Sequence, residues 1–296
     1  MRIDRSIFAG LDSLRVAAPK PAAGGRPGDR RSRARGGGVE LADFRPYTPG
    51  DDLRLVDWNI YARLEHVLVR LFHEDRDLSL AIIVDASASM GFGTPRKLDH
   101  AGELAACLSF LALHARERVR VVVAGRRAAG FVKGERMTSL PTIIEMLERI
   151  EPDGAADLPA ALAAEADRGR CDHVLLLTDL LVEPAVREAT LRRLAAAGNR
   201  AILLHVLGDG ELTPDLDDGA VVVDAETGEE VPVRGGKAAA KVYAAELARW
   251  QGEIEQRCAE LDIVYSPAFT TAPARALVAG DLRRRRVTEA ARGGGR

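Results

Sequence analysis

Asp85, Ser87 and Ser89 stand in the order D-x-S-x-S, directly after the apolar run Leu80-Ala81-Ile82-Ile83-Val84. A short apolar run of this kind reads as a buried strand. One carboxylate and two hydroxyls therefore leave the sheet together where a strand ends, which is where open α/β sheets bind ligands. Three hard oxygen donors in five residues suit a hard divalent cation such as Mg²⁺, which takes oxygen ligands and keeps several waters. The same residue types also suit a polar turn that caps a helix, and the spacing alone leaves both readings open.

A second acid, Asp179, follows the apolar segment Leu175-Leu176-Leu177-Thr178. If the two strands run parallel, Asp85 and Asp179 reach the same edge and can converge. A third loop, Asp153-Gly154-Ala155-Ala156-Asp157-Leu158, precedes a helical stretch. There Asp157 is either an N-cap or a further oxygen donor.

The elements that must hold these residues alternate between strand and helix. Strands are expected at 66–72, 80–84, 119–124, near Phe131, at 173–178, 201–207 and 262–265. Helices are expected near 97–115, 141–150, 158–167, 184–197 and 237–261. Such alternation predicts an α/β fold with a mostly parallel sheet and helices on both faces. Ile7, Phe8, Leu11 and Leu14 predict a short amphipathic helix over 5–16. Residues 19–38, dense in Pro, Gly and Arg, read as a flexible basic loop. Residues 209–235 suggest a hairpin or irregular insertion, and the Arg-rich end a solvated tail. The expected division is 1–77 as an N-terminal element, 78–266 as the α/β domain and 267–296 as a flexible tail.

Composition narrows the function classes. With 296 residues and 47% apolar content, a sizeable core is available, and a net charge of −2 argues against bulk attraction to nucleic acid. No apolar stretch is long enough to suggest a membrane span, and the N-terminus lacks the apolar core of a secretory signal. The three cysteines, Cys107, Cys171 and Cys258, are far apart, which fits reduced thiols in a cytosol. There is no G-x-x-x-x-G-K-[ST] loop, no G-x-S-x-G elbow and no H-E-x-x-H pair. At the end of the strand 80–84 a D-x-D phosphatase motif is not formed, because Ser87 fills its second position and the proton-transfer partner is lost.

A strand ending in D-x-S-x-S, then helix, strand and a later strand-end Asp, resembles a von Willebrand factor A domain. That resemblance implies a doubly wound α/β fold and a metal-ion-dependent adhesion site (MIDAS) for Mg²⁺. Carried over by position, the site comprises Asp85, Ser87, Ser89 and Asp179. The family's middle-loop Thr falls on Ala156, so a water replaces it, or Asp157 moves in, or the site is weak or lost.

The stretch from Phe44 to Arg63 is similar to a second signature, R-x-Y-x-P-G-D-D-x-R-x-I-D-W-x-x-x-A-R. Here it is carried by Arg45, Tyr47, Asp51, Asp52, Arg54, Asp57, Trp58 and Arg63. It is the signature of the domain of unknown function 58 family. Read physically, Pro49-Gly50-Asp51 is a turn, the arginines and aspartates suit a salt-bridged knot, and Tyr47 and Trp58 would pin that knot to the core. The resemblance implies a partner class: proteins of this kind are commonly encoded beside MoxR-type AAA+ ATPases. The expectation is a non-enzymatic cytoplasmic adaptor that binds such an ATPase or a client protein, with no specific nucleic acid. The alternative is a metal-dependent, phosphatase-like hydrolase using the same strand-edge acids.

Overall fold

The computed structural model describes residues 2–18, 40–50, 53–73, 78–126, 130–214, 221–223, 230–232 and 236–291. The strands are β1 (Leu14–Val16), β2 (Glu40–Pro46), β3 (Leu68–His73), β4 (Ser79–Asp85), β5 (Arg118–Ala124), β6 (Gly130–Gly134), β7 (Cys171–Thr178), β8 (Gly198–Leu207), β9 (Val221–Val223), β10 (Glu230–Pro232), β11 (Ile263–Phe269) and β12 (Thr288–Ala290). The helices are α1 (Trp58–Leu64), α2 (Lys97–His114), α3 (Leu140–Glu148), α4 (Leu158–Asp167), α5 (Pro184–Ala197), α6 (Asp209–Leu212), α7 (Gly236–Glu260), α8 (Ala274–Ala279) and α9 (Asp281–Arg284).

Six strands form one sheet in the order β11-β8-β7-β4-β5-β6. All neighbours are parallel except β5 and β6. The expected α/β architecture is present. Side chains alternate across a strand, so β4 feeds two cores. Leu80, Ile82 and Val84 join a cluster with α2, α3, α8 and α9. Ala81 and Ile83 join another with α4, α5 and α7. Helices cover both faces, which is why β4 and β7 read as nearly unbroken apolar runs.

The chain divides into two compact units, one of residues 1–20 with 78–296, the other of 21–77. In the smaller unit, β2 pairs antiparallel with β3. Asp57 caps α1, its Oδ1 accepting from the N–H groups of Asn59 and Ile60 at 3.0 and 3.1 Å. Two differences from expectation lie in the larger unit. Residues 5–16 form two 3₁₀ turns and β1 rather than one helix, because Gly10 sits at φ 78 and breaks the run. The end of the chain is no solvated tail up to residue 290. There β12 pairs with β1, and Leu277, Val278, Leu282 and Val287 enter the core. Its many arginines concealed a regular apolar set beneath them.

Candidate functional site

The register of the sheet builds the site. Val84 stands opposite Leu177, so the next residues, Asp85 and Thr178, come level at the carboxyl edge. The Thr178 hydroxyl donates to Asp85 Oδ2 at 2.6 Å, and the Ser87 N–H donates to Asp85 Oδ1 at 2.8 Å. Ser87 heads a 3₁₀ turn, yet its side chain makes no capping bond. Its hydroxyl lies instead 3.1 Å from that of Ser89. The helix-capping reading of this turn therefore fails for Ser87. Asp85, Ser87 and Ser89 are all buried.

The middle loop is stitched to this turn. The Ala88 N–H donates to Gly154 O at 2.7 Å, and the Asp153 N–H donates to Ala86 O at 3.0 Å. Gly154 holds φ 54, and a Cβ there would meet Arg126 Cδ at 2.7 Å. Asp157 caps α4 by accepting the Ala160 N–H at 2.9 Å, so this oxygen serves the helix. Ala156 is buried in the apolar cluster.

Asp179 arrives beside Asp85 through a tight turn in which Leu180 takes a left-handed conformation, φ 52. The Leu180 N–H donates to Thr178 Oγ1 at 3.0 Å, and the Leu181 N–H to Asp179 Oδ1 at 3.1 Å. The second oxygen of Asp179 accepts from Lys97 Nζ at 2.6 Å. Lys97 is fully buried and also donates to Glu211, whose other oxygen accepts the Gly208 N–H at 2.8 Å. Beneath this layer, His205 Nε2 lies 3.0 Å from Asp179 O, and Nδ1 lies 2.9 Å from the Tyr265 hydroxyl. A carbonyl only accepts, so Nε2 carries the proton and Nδ1 accepts from Tyr265. Burial pushes the His205 pKa down to about 4, and the ring is neutral at physiological pH.

Charge at the site is unbalanced. Burial, and then the nearby charge of Asp179, raise the Asp85 pKa to about 7, while the bonds from Thr178 and Ser87 oppose the rise. Asp179 and Glu211 share the single ammonium of Lys97, and the charge of Asp85 acts on Asp179's side of that group, so acids outnumber the base. In an octahedral Mg²⁺ shell with bonds of about 2.1 Å, adjacent oxygens sit about 3.0 Å apart. The separation of the Ser87 and Ser89 hydroxyls matches that edge and equally that of the hydrogen bond between them, and with Asp85 the three offer only hard oxygens, the donor chemistry a divalent cation takes. Ala156 contributes no side-chain oxygen, and Asp179 is already paired. Among the described residues, no group of three His, Cys, Asp or Glu side chains forms a metal cluster.

Lys97, Thr178, Glu211, His205 and Tyr265 escaped the sequence reading. Lys97 lies in Arg96-Lys97-Leu98-Asp99, which looks like an exposed first helical turn. Thr178 was legible as the last residue of a strand beside Asp179. Of the second signature, Asp51 and Asp52 lie outside the described residues, as does the basic loop at 20–35. Arg45 donates to Thr48 Oγ1 at 3.1 Å. Tyr47 is half-buried, and Arg54 and Arg63 are exposed. Trp58 does not pin a core as expected. It is 56% exposed and meets Tyr61 edge-on, with ring centroids 6.1 Å apart.

The fold is α/β, a six-stranded and mostly parallel sheet covered by helices. Among solved structures, a von Willebrand factor type A protein from Catenulispora acidiphila is 19% identical at TM-score 0.34, covering 47% of this chain and 35% of that one. The conserved hypothetical protein BatB from Bacteroides thetaiotaomicron is 13% identical at TM-score 0.40, covering 70% and 98%. An aerotolerance-related membrane protein from Bacteroides fragilis is 17% identical at TM-score 0.42, covering 70% and 99%. Among the described residues of this chain, no helix is long and apolar enough to cross a membrane. Uncharacterized protein Rv1480 of Mycobacterium tuberculosis (strain ATCC 25618 / H37Rv) is 32% identical over 237 residues, covering 76% of this chain and 73% of its own length. Uncharacterized protein Mb1516 of Mycobacterium bovis gives the same values. The family described as "Protein of unknown function DUF58" matches residues 43–253, and the chain belongs to that family.

Proposed function

We propose that this chain is a non-catalytic docking module that receives a carboxylate-bearing segment of a partner protein at the carboxyl edge of its sheet. The observation that carries the reading is the convergence of Asp85, Ser87, Ser89 and Asp179 at that edge. Two exposed apolar side chains lie close by in sequence: Phe92, 50% exposed, three residues after Ser89, and Leu181, 45% exposed, two after Asp179. Exposed aromatic and aliphatic side chains supply the apolar core of a protein contact. Asp85, Ser87 and Ser89 would hold Mg²⁺, which supplies the positive charge that attracts an incoming carboxylate. Ser87 stands at the second position beyond Asp85, where a D-x-D site would carry its proton-transfer acid.

The partner assigned by the family resemblance is a MoxR-type AAA+ ATPase, with the module acting as its adaptor toward a client in the cytoplasm. The test is a calorimetric titration of the full chain with a purified MoxR-type ATPase from the same organism. Phe92→Ser, Leu181→Ser and Asp85→Asn should each weaken binding about tenfold or more. Arg257→Ala, in an ion pair between α5 and α7, should leave it unchanged. Equal affinity in all four variants and the wild type contradicts the reading.

A further inference from the structure

A cation at the first residue of an 18-residue helix is poorly placed, because the positive end of the helix dipole lies there. Lys97 is nevertheless held fully buried at that position. Two carboxylates compensate it. Asp179 lies on the edge of the proposed cation site, and Glu211 lies in α6 beyond the end of β8. Glu211 is itself anchored through the Gly208 N–H, so it keeps its place whatever Asp179 does. The Lys97 ammonium also lies 6.0 Å from the centre of the Phe92 ring, which joins it to the turn that carries Ser87 and Ser89.

We infer that Lys97 is a tethered cation that occupies Asp179 in place of a divalent ion, held there by its second partner, Glu211, so that this carboxylate is withheld from the ion. This deepens the docking reading and rests on its assignment of Asp85, Ser87 and Ser89 as cation ligands. The device answers two physical demands. Without a divalent ion, Asp85 and Asp179 would stand side by side as unneutralised buried acids, an arrangement that burial penalises heavily. Paired with Asp179 and Glu211 together, the buried ammonium is in turn never left without a carboxylate. Lys97 thereby withholds one anionic ligand and sets the cation affinity low, so that occupancy responds to the added carboxylate of a docking partner.

The test is titration of the full chain with Mn²⁺ alone, read by electron paramagnetic resonance. The set is the wild type, Lys97→Met, Asp179→Asn and the double variant. Lys97→Met should bind Mn²⁺ at least about tenfold tighter, because affinity follows the charge and number of ligands. Asp179→Asn should stay within about twofold of the wild type, since Asp179 is already taken, and the double variant should match Asp179→Asn. No gain in Lys97→Met overturns the inference. So does an equal gain in the Asp179→Asn background, which would be a through-space charge effect, and so does an absence of Mn²⁺ binding throughout. If Lys97→Met does not fold, Lys97→Gln replaces it, since its amide still donates to Glu211. Asp179→Asn alone also decides the matter, because a large loss of affinity would show Asp179 to be free for the ion. Partner titration without added cation separates the two readings: binding that persists while the Mn²⁺ result fails leaves docking intact and removes only the role of Lys97.

Discussion

Replacing Asp85 with Asn should make the protein more stable at alkaline pH, against the usual effect of altering a buried polar residue. The carboxyl is buried beside Asp179, and its pKa rises from 3.8 to about 7. Below the lower value the group is protonated in both the folded and the unfolded chain, and its contribution is fully present. As pH rises toward 7 the unfolded chain gives up its proton first, so stability falls through that window and levels off above it. The full span corresponds to about 4 kcal/mol at most. An Asn side chain has the shape of the protonated acid and no charge to bury. It still offers an oxygen to the Ser87 N–H, and the Thr178 hydroxyl can turn to accept from its amide. Urea unfolding in chelator, followed by circular dichroism from about pH 3 to 8.5, should show the two proteins alike at the acid end. The variant should lead by up to about 4 kcal/mol at pH 8. Parallel curves across the range, or a variant less stable at pH 8, would refute the claim that Asp85 carries an uncompensated charge.

Other outcomes follow from the same geometry. Tyr265→Phe removes the donor to His205 Nδ1 and should cost about 1–3 kcal/mol in urea unfolding, a loss that His205→Phe in the same background should not enlarge in proportion. Deleting residues 270–296 strips β12 from β1 and the side chains of Ala274, Leu277, Val278, Leu282 and Val287 from the core. At about 1.5–3 kcal/mol for each buried leucine or valine, the truncated chain should lose its cooperative thermal transition. A truncation that melts like the full chain would contradict the packing of that segment.

Much of the fold was legible because β4 and the second half of β7 carry their apolar residues without interruption, and because Asp157 precedes α4 and Pro184 begins α5. The convergence of Asp85 and Asp179 was legible too, since parallel strands deliver their ends to one edge. What stayed hidden depends on distant pairing. Nothing local distinguishes Lys97 from Arg96 beside it, and burial of its ammonium requires Glu211 from 114 positions away. Thr178 orients Asp85 only because the register sets Val84 opposite Leu177. The arginines after residue 280 masked Leu282 and Val287, which face inward while the charged side chains face water. The exposure of Trp58 was hidden for the opposite reason, because a tryptophan in a dense signature reads as core.

The account stands on the carboxyl edge of the sheet as the surface that meets a partner. Hydrogen–deuterium exchange of the full chain, with and without a purified MoxR-type ATPase, tests it directly. The account predicts new protection in residues 86–96 and 179–183. Binding accompanied by protection confined to other segments, with these two exchanging as in the free protein, would contradict it.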